Sequence, residues 1–340
     1  MRRWLRLSIN LIKFPFAYLS YKGNLKTKPW AYQVFVQLFC DTGGRFNDLL
    51  SFFIGLGSKR IKFNNPSSVL GNLSKERLSK YKGILEKKGY LIFPNAVPLD
   101  MCDRLLKFAI ETPALVRRMD FEKGEAPPRY EIFNPISPLA TRYDYTVNSL
   151  LAQEDIQELI CDPTLLSIAQ EYLGSRPIVD VLTMWWHTNF QSVADSEAAQ
   201  YYHFDLDRIK WLKVFIYITD VGINGGPHSF IDGSHRSGGI PRDILKRGYV
   251  RIDDEDVLDH YGAARQIEFI APRGTIIIED TRGLHKGKAV TDKESRLVLQ
   301  MQFSNSLFGA NYKKYTLPNK RIEKLQDMID HAPDIFVNYL

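Results

Sequence analysis

The segment YYHFDLDRIKWLKVFIYITDV, residues 201–221, contains the pattern that decides the fold. From residue 211 onward, alternate side chains fall on opposite faces of an extended chain, as the two-residue repeat of a strand requires. One face is entirely apolar and consists of Leu212, Val214, Ile216 and Ile218. The other face mixes a lysine with aromatic rings and consists of Trp211, Lys213, Phe215 and Tyr217. The pattern predicts a strand with one core-facing side, whose second side either lines a pocket or meets solvent.

The same period of two recurs through the second half of the chain. Strands are predicted at 178–190, 199–205, 211–219, 228–232, 266–270, 274–279, 284–290 and 296–304. Helical periodicity precedes them at 74–88, 98–112 and 151–173, and helix returns from residue 318. Several helices followed by about eight strands favour a closed or sandwiched β architecture with a helical layer over alternating β-α-β units.

Composition and pattern divide the chain into three parts. Residues 1–74 form an N-terminal extension, of which 41–74 is predicted to be a connecting arm. Residues 75–310 form the main domain, and residues 311–340 form a helical tail. Within the main domain, the charged segment 236–262 is predicted to be a partly helical insertion, which is either a lid or a solvated acidic surface.

The net charge of +6 is concentrated at the N-terminus. Residues 1–40 contain seven basic side chains, nine aromatic rings and no acid, whereas the remaining 300 residues are nearly neutral. We therefore expect no nucleic-acid-binding surface on the main domain. Apolar residues recur at helical spacing, although Pro15 is expected to break or kink that helix. Such a basic amphipathic segment either packs on the main domain or makes peripheral contact with an anionic membrane.

Cysteine content and hydropathy set further bounds. Cys40, Cys102 and Cys161 lie far apart and form neither a disulfide framework nor a metal-binding motif. A reducing compartment, the cytoplasm, is therefore expected. No apolar run reaches the roughly 18 residues that a membrane-spanning helix needs.

His203 and Asp205 are the first candidates for chemistry. Two residues apart on a strand, their side chains point to the same face. One imidazole and one carboxylate suit Fe(II) when a second histidine completes the set. The alternative is an ordinary polar step in a sheet, because His-x-Asp tripeptides are common by chance. Among the other histidines, His285 differs in following the apolar strand TIIIED and the short turn TRG.

Arg296 is the second element of this candidate site. A hairpin centred between residues 290 and 291 would place Arg296 opposite His285 on the adjacent strand. On the face of Arg296 the alternate residues that follow are Val298, Gln300 and Gln302. The opposite face is fully apolar and consists of Leu297, Leu299, Met301 and Phe303. The polar face either meets solvent or lines a pocket. In a pocket, an arginine could bind the far carboxylate of a 2-oxo acid whose other end chelates the metal.

These pieces together resemble the phytanoyl-CoA dioxygenase family of Fe(II)/2-oxoglutarate oxygenases. The matching segments follow the family order over about residues 75–305 and are KKGYLIFPNAV (87–97), HFD (203–205), LKVFIYITDV (212–221), GGPHSFIDGSHR (225–236), PRGTIIIEDTRGLHKG (272–287) and SRLVLQMQF (295–303). The step of 11 residues from His285 to Arg296 is also the family's spacing. The resemblance implies a double-stranded β-helix, or jelly roll. It implies that His203, Asp205 and His285 bind iron and that Arg296 anchors 2-oxoglutarate.

Other residues are weaker candidates. Family members often have a hydroxyl residue two positions beyond the distal histidine, where this chain has Gly287. A further cosubstrate contact must therefore come from elsewhere, and the candidates are Lys213, Phe215 and Tyr217. His187 and Arg142 are candidates for substrate contacts. His235 matches a family position that is not a ligand, so we expect a structural role for it.

The resemblance implies an enzyme that uses Fe(II), 2-oxoglutarate and O2, with ascorbate as a stimulant. It predicts hydroxylation of a C–H bond in a small metabolite or lipid-like substrate, with release of succinate and CO2. Asp205 argues against halogenation, because related halogenases have Gly or Ala at that position. Two alternatives stand beside hydroxylation. They are desaturation or cyclisation by the same iron chemistry, and a catalytically silent barrel that docks on a membrane or partner.

Overall fold

The computed structural model describes residues 2–63, 68–117, 127–191 and 199–340 of the chain. Helices α1 (Arg2–Asn24), α2 (Pro29–Thr42) and α3 (Arg45–Leu56) come first. The next elements are α4 (Lys75–Lys88), β1 (Tyr90–Phe93), α5 (Leu99–Glu111), β2 (Ala114–Arg117), β3 (Tyr130–Glu131) and β4 (Arg142–Asp144). Three further helices precede the main strands: α6 (Val147–Leu151), α7 (Glu154–Ile160) and α8 (Pro163–Leu173).

The second half of the chain carries most of the sheet. Its strands are β5 (Ile178–Thr188), β6 (Trp211–Tyr217), β7 (His228–Ile231), β8 (Gln266–Glu268), β9 (Ile276–Glu279), β10 (His285–Gly287) and β11 (Ser295–Ser304). The helices here are α9 (Arg242–Lys246), α10 (Asp254–Tyr261) and α11 (Glu323–His331). The predicted helices at 74–88, 98–112 and 151–173 and the C-terminal helix are confirmed, as is the partly helical character of 236–262.

The strands form two antiparallel sheets that make a double-stranded β-helix, as predicted. The larger sheet has the order β1-β9-β6-β11-β5-β4-β2-β3, and the smaller has the order β10-β7-β8. Side chains from both sheets meet between them in one cluster, which contains Trp185, Phe215, Tyr217, Val221, Phe230, Phe269, Ile277 and Val298. The other face of the large sheet packs against helices, so each face of that sheet has its own core.

Strand β6 shows why its sequence alternates. Leu212, Val214 and Ile216 belong to the core between the large sheet and the helices. Phe215 and Tyr217 point the other way, into the space between the two sheets. The predicted division of the two faces is therefore confirmed, and the mixed face lines the interior of the barrel.

The predicted strand at 199–205 is wrong. His203 pairs with His285 through an isolated bridge, and Tyr202 pairs with Ile252 in the same way. These single contacts come from separate segments, so no continuous ladder forms. Local alternation could not show this, because a strand requires a neighbour over several residues.

The predicted hairpin between β10 and β11 is also wrong. His285 pairs with Phe230 of β7, in the small sheet. Arg296 pairs with His187 of β5, in the large sheet. The chain crosses from one sheet to the other between residues 287 and 295, and a turn signal such as TDKE does not distinguish this crossing from a hairpin.

The N-terminal helices pack on the main domain. The ring of Phe308 is the centre of this contact, since four rings lie with their centroids 5.5 Å from it, those of Phe14, Tyr18, Tyr21 and Phe35. Helix α1 runs through Pro15 without a break. The predicted connecting arm at 41–74 is wrong where α3 forms, and Asn47 of that helix donates a hydrogen bond to the carbonyl of Ile209 at 3.1 Å.

A buried ion pair ties β5 to the segment that follows Asp205. The guanidinium of Arg208 binds both carboxylate oxygens of Asp180, at 2.6 and 2.7 Å. Gln302 and Ser304 of β11 donate to the same carboxylate at 2.9 and 2.8 Å. Both charged residues are 2% exposed. The carboxylate is thus fully hydrogen-bonded, which offsets the cost of burying it.

Asp180→Ala should therefore lower the free energy of unfolding by about 3–5 kcal/mol, because it leaves the guanidinium of Arg208 buried without its bidentate carboxylate. Urea unfolding followed by circular dichroism measures this. The control is Asp334→Ala, which removes a largely exposed carboxylate 2.6 Å from Arg176. Its loss should cost less than about 1 kcal/mol. Equal losses for the two variants would contradict the assignment.

Candidate active site

Backbone hydrogen bonds hold His203 and His285 side by side. The amide nitrogen of His203 donates to the carbonyl of His285 at 3.0 Å, and the reverse bond is 2.9 Å. Their ring centroids are 4.2 Å apart. The amide of Asp205 donates to the carbonyl of Thr281 at 2.8 Å. Residues 203–205 are thus fixed to the chain around β10 although they are not a strand.

The side chains of His203, Asp205 and His285 converge on one point. One ligand atom from each residue lies within 4.8 Å of the others, and all three residues are buried. Nε2 of His203 is 3.8 Å from Oδ1 of Asp205, and Nε2 of His285 is 3.4 Å from Oδ2. Among the residues that the structure describes, these form the one cluster of metal-binding side chains this close together.

The tautomers of both histidines favour metal binding. Nδ1 of His203 lies 2.9 Å from the carbonyl of Tyr201, and Nδ1 of His285 lies 3.0 Å from the carbonyl of Gly283. A carbonyl only accepts, so each Nδ1 carries the hydrogen and each Nε2 keeps a free lone pair. Two imidazole nitrogens and one carboxylate oxygen are the donor set that suits non-haem Fe(II). The residues present therefore fit an iron ion.

Lys213 balances the carboxylate charge of the site. Its Nζ lies 2.6 Å from Oδ2 of Asp205 and 3.2 Å from Oδ2 of Asp207. Burial alone would raise the pKa of Asp205, but Lys213 and then His285 hold that pKa well below its usual range. Burial raises the pKa of Asp207, with Lys213 opposing. Asp205 is therefore the ionised carboxylate that faces the two histidines.

Arg296 lies in the barrel interior beside β10. Its Nη2 donates to Nδ1 of His187 at 2.6 Å, and its Nη1 donates to the carbonyl of Gly226. A Cβ added at Gly287 would lie 3.2 Å from Nη2 of Arg296. The guanidinium therefore packs against Gly287, two residues beyond His285, although β10 and β11 belong to different sheets.

The Arg296 guanidinium has hydrogen-bonding capacity to spare. The residue is 2% exposed, and its Nε has no acceptor within the described ranges. Burial lowers its pKa, while the phenol of Tyr217 favours the charged form and Arg142 opposes it. No carboxylate of a described residue is among the groups that act on this pKa. A buried guanidinium in these surroundings fits a bound carboxylate such as that of 2-oxoglutarate.

Comparison with known families agrees with this geometry. The family model described as phytanoyl-CoA dioxygenase (PhyH) matches residues 85–298, which is more than half of the chain. The chain belongs to the phytanoyl-CoA dioxygenase family. The resemblance predicted from the sequence is therefore confirmed, and with it the double-stranded β-helix and the cofactors iron and 2-oxoglutarate.

Several solved structures are similar in fold. The non-haem α-ketoglutarate-dependent carbocyclase SnoK of nogalamycin biosynthesis is 17% identical, with a TM-score of 0.47, and the match covers 71% of this chain and 87% of that one. HygX from Streptomyces hygroscopicus, solved with nickel, 2-oxoglutarate and hygromycin B, is 12% identical with a TM-score of 0.47, covering 71% and 91%. The epimerase SnoN, solved with Fe3+, α-ketoglutarate and nogalamycin RO, is 15% identical with a TM-score of 0.46, covering 68% and 84%. No curated protein matched the sequence.

The other predicted pocket residues lie along the interior face of β6. The ring of Phe215 has its centroid 4.7 Å from that of His228. The hydroxyl of Tyr217 donates to the carbonyl of Phe269 at 3.1 Å and accepts from the amide of His228 at 3.2 Å. His235 lies apart from the cluster, buried beside Phe230. In this member of the phytanoyl-CoA dioxygenase family, Lys213, Phe215 and Tyr217 thus form one wall of the barrel interior.

A buried pair, Glu279 and His228, was not predicted from the sequence. Nε2 of His228 is 2.7 Å from Oε2 of Glu279, and the rings of His228 and His285 are 5.6 Å apart. Burial raises the pKa of Glu279 to about 8 and lowers the pKa of His228 well below its usual range. A neutral carboxyl therefore donates to a neutral imidazole. The one sequence signal was a glutamate at the end of the apolar strand TIIIE.

Tyrosines from three other segments surround the carboxylates. Tyr32 of α2 donates to the carbonyl of Leu206 at 3.4 Å. Burial first, and then Asp207 and Asp205, raise the pKa of Tyr32 to about 12. Tyr312, from the tail, has its pKa raised by the same causes in the same order. The pKa of Tyr249, from the insertion, is raised by burial, then by Asp205 and then by Asp207. The extension, insertion and tail therefore all contribute to this side of the site, which no local pattern could reveal.

The buried glutamate predicts a pH dependence of stability. Its pKa of about 8 in the folded protein exceeds the ordinary value of 4.5. Folding therefore takes up a proton at Glu279 between these values, and the contribution of this group to the free energy of unfolding should fall as pH rises from about 5 to about 8. The slope from this group is at most about 1.4 kcal/mol per pH unit. Glu279→Gln keeps a neutral donor for His228 and should flatten this slope.

Urea unfolding at several pH values in the presence of EDTA measures the slope without a contribution from metal binding. The matched control is Glu131→Gln, which changes a glutamate with a 40% exposed side chain in β3 and should leave the slope unchanged. A slope for Glu279→Gln as steep as that of the unaltered protein would show that Glu279 is ionised when buried.

Proposed function

We propose that this protein is an Fe(II)/2-oxoglutarate-dependent oxygenase that hydroxylates a C–H bond of a small metabolite or lipid-like substrate. One observation carries the proposal. A buried cluster of His203, Asp205 and His285 and a buried, carboxylate-free Arg296 share the interior of one barrel among the residues described. The first suits iron, and the second suits the far carboxylate of 2-oxoglutarate.

We assign iron binding to Nε2 of His203, Nε2 of His285 and one carboxylate oxygen of Asp205. When bound, iron and 2-oxoglutarate activate oxygen for removal of a substrate hydrogen atom and delivery of a hydroxyl group, with release of succinate and CO2. Lys213 is assigned as a positioning residue, because its ammonium group holds Oδ2 of Asp205. With Oδ2 held by Lys213, Asp205 would offer a bound iron ion its other carboxylate oxygen.

Arg296 and the face of β6 are assigned to the cosubstrate. Arg296 donates to the far carboxylate of 2-oxoglutarate, and the hydrogen bond to His187 fixes the orientation of its guanidinium. Tyr217 lies at the same end of the pocket, where its hydroxyl is held by Phe269 and His228 and its phenol favours the charged form of Arg296. Phe215 supplies an apolar wall, which keeps water away from the reacting groups. These residues all lie in the interior of the barrel. We therefore assign substrate recognition to the segments that surround it.

The proposed function is tested by anaerobic titration of the purified protein with Fe(II) and 2-oxoglutarate, followed by admission of oxygen. We expect a metal-to-ligand charge-transfer band before oxygen is added and succinate release afterwards. Absence of both would refute the proposal. A band and succinate that form equally well without the protein would refute it too.

Asp205→Ala and Asp207→Ala form a matched pair, since each removes one buried carboxylate that contacts Lys213. Asp205→Ala should abolish succinate release and weaken Fe(II) binding by more than the roughly 10- to 100-fold that the loss of a supporting residue costs. Asp207→Ala should weaken Fe(II) binding by no more than about 10- to 100-fold relative to the unaltered protein. Equilibrium dialysis with Fe(II) under argon measures both. The opposite order would assign the metal to Asp207.

Arg296→Met should raise the Kd for 2-oxoglutarate about 10- to 100-fold, because charge-assisted hydrogen bonds to a carboxylate are lost. Fe(II) affinity in the absence of 2-oxoglutarate should change little. Anaerobic titration of the charge-transfer band measures the Kd. Arg129→Met is the control, since Arg129 is half-exposed and pairs with Glu131 at 2.9 Å. Equal Kd values for Arg296→Met and the unaltered protein would remove Arg296 from the cosubstrate site.

A further inference from the structure

Helix α1 has two apolar faces, and one of them is covered. Phe14, Ala17 and Tyr21 are buried against the neighbouring helices and Phe308. The opposite face carries five exposed apolar residues, which we call the α1 row: Leu5, Ile9, Ile12, Phe16 and Leu19. Their exposed fractions lie between 42% and 68%. Exposure on this scale along one helix face is unusual for side chains of this size.

The α1 row is continuous along the helix. Its members follow one another at spacings of four, three, four and three residues, so they lie on one face. The fourteen steps of helix from Leu5 to Leu19 span about 21 Å. Trp4, at the start of the same helix, is 73% exposed. An exposed indole near one end of an amphipathic helix is typical of helices that lie at a membrane interface.

The exposed apolar surface extends beyond α1. Phe16 lines a surface hollow of about 410 Å³ together with Trp30 of α2, which is 41% exposed. At the other end, Leu25 lines a larger hollow together with Phe53 of α3. Helix α3 adds four exposed apolar side chains, Leu49, Phe52, Phe53 and Leu56. Phe16 therefore extends the α1 row to Trp30 of α2, and α3 carries a separate set of exposed apolar side chains beside the second hollow.

The unpaired charge beside this surface is basic, because the nearby acids Asp41, Asp48 and Asp334 pair with Arg6, Arg282 and Arg176. Lys13 lines the hollow that Phe16 and Trp30 share, and Lys22 lines the hollow that contains Leu25. Residues 1–40 hold seven basic side chains and no acid. Arg6 is compensated by Asp41, at 2.9 Å from Nε. Lys13 and Lys22 are exposed and take part in no ion pair with a described acid.

We propose that the α1 row docks on the surface of an anionic phospholipid bilayer, with α1 in the plane of the interface and Lys13 and Lys22 among the lipid phosphates. Buried apolar side chains and attraction to anionic lipid both contribute to such binding. Within the described residues, no helix is long and apolar enough to cross a membrane. The geometry thus points to a helix that lies on the bilayer.

The charge distribution argues against a second copy of the chain as the occupant. Face-to-face contact of two α1 rows would bring the basic residues of both copies together without an acid from residues 1–40 of either. Repulsion between like charges opposes such a contact. An anionic bilayer supplies the opposite charge together with an apolar interior.

Vesicle sedimentation with the full chain tests the proposal. We expect at least tenfold tighter binding to phosphatidylcholine vesicles with 30% phosphatidylserine than to pure phosphatidylcholine vesicles, since about 1 kcal/mol per basic residue is available near an anionic surface. The double variant Ile12→Asp/Phe16→Asp should lose at least tenfold in binding. The matched control is Ile136→Asp/Ile223→Asp, at residues 93% and 66% exposed on the main domain. It should bind as the unaltered protein does.

Charge variants separate the two contributions. Lys13→Glu/Lys22→Glu should remove the preference for phosphatidylserine, whereas Lys107→Glu/Lys293→Glu, at exposed positions of the main domain, should retain it. Failure of the unaltered protein to bind vesicles, or equal losses in the row and control variants, overturns the proposal. A dimer in vesicle-free sedimentation velocity that Ile12→Asp/Phe16→Asp dissolves would assign the row to a second copy instead. None of these measurements needs iron or 2-oxoglutarate, so their outcome is independent of the proposed activity.

Discussion

The paired backbone hydrogen bonds between His203 and His285 are the contact on which the site depends. They join a segment that has no strand of its own to the edge of the small sheet. They also fix both imidazole rings side by side, with each Nδ1 bound to a backbone carbonyl. The large sheet then brings Lys213 and Arg296 towards the rings from the other wall of the barrel. The two-sheet fold thus places groups from distant parts of the chain around one buried space.

The charges in this space are arranged by burial and by pairing. Lys213 keeps Asp205 ionised, while burial keeps the carboxyl of Glu279 neutral beside His228. Two acids, one in an irregular segment and one at the end of β9, therefore have different states in one cavity. Arg296 donates to His187 and to the carbonyl of Gly226, but no carboxylate of a described residue acts on its charge. An anion that enters the barrel is attracted to that end, and a cation is attracted to Asp205.

Some of this structure was predictable because it depends on local sequence. Ser74 caps α4 by accepting from the amide of Arg77, and Gly89 ends that helix at φ 94°. The alternation in β6 places Lys213 and Tyr217 inside for the same local reason. Pairing between distant segments was not predictable in this way. The predictions of a hairpin at residue 290 and of a strand at 199–205 are therefore wrong. His203 and Asp205 still converge, because single contacts with His285 and Thr281 replace the ladder. The tyrosines around the carboxylates come from three separate segments and left no local signal.

The central claim is that the His–Asp–His cluster and Arg296 form one iron and 2-oxoglutarate site. A crystal structure grown without oxygen, with Fe(II) and 2-oxoglutarate present, tests it most directly. We expect a metal bound by Nε2 of His203, Nε2 of His285 and a carboxylate oxygen of Asp205, with the far carboxylate of 2-oxoglutarate on the guanidinium of Arg296. A metal held by other residues, or a cosubstrate whose far carboxylate does not contact Arg296, would contradict it.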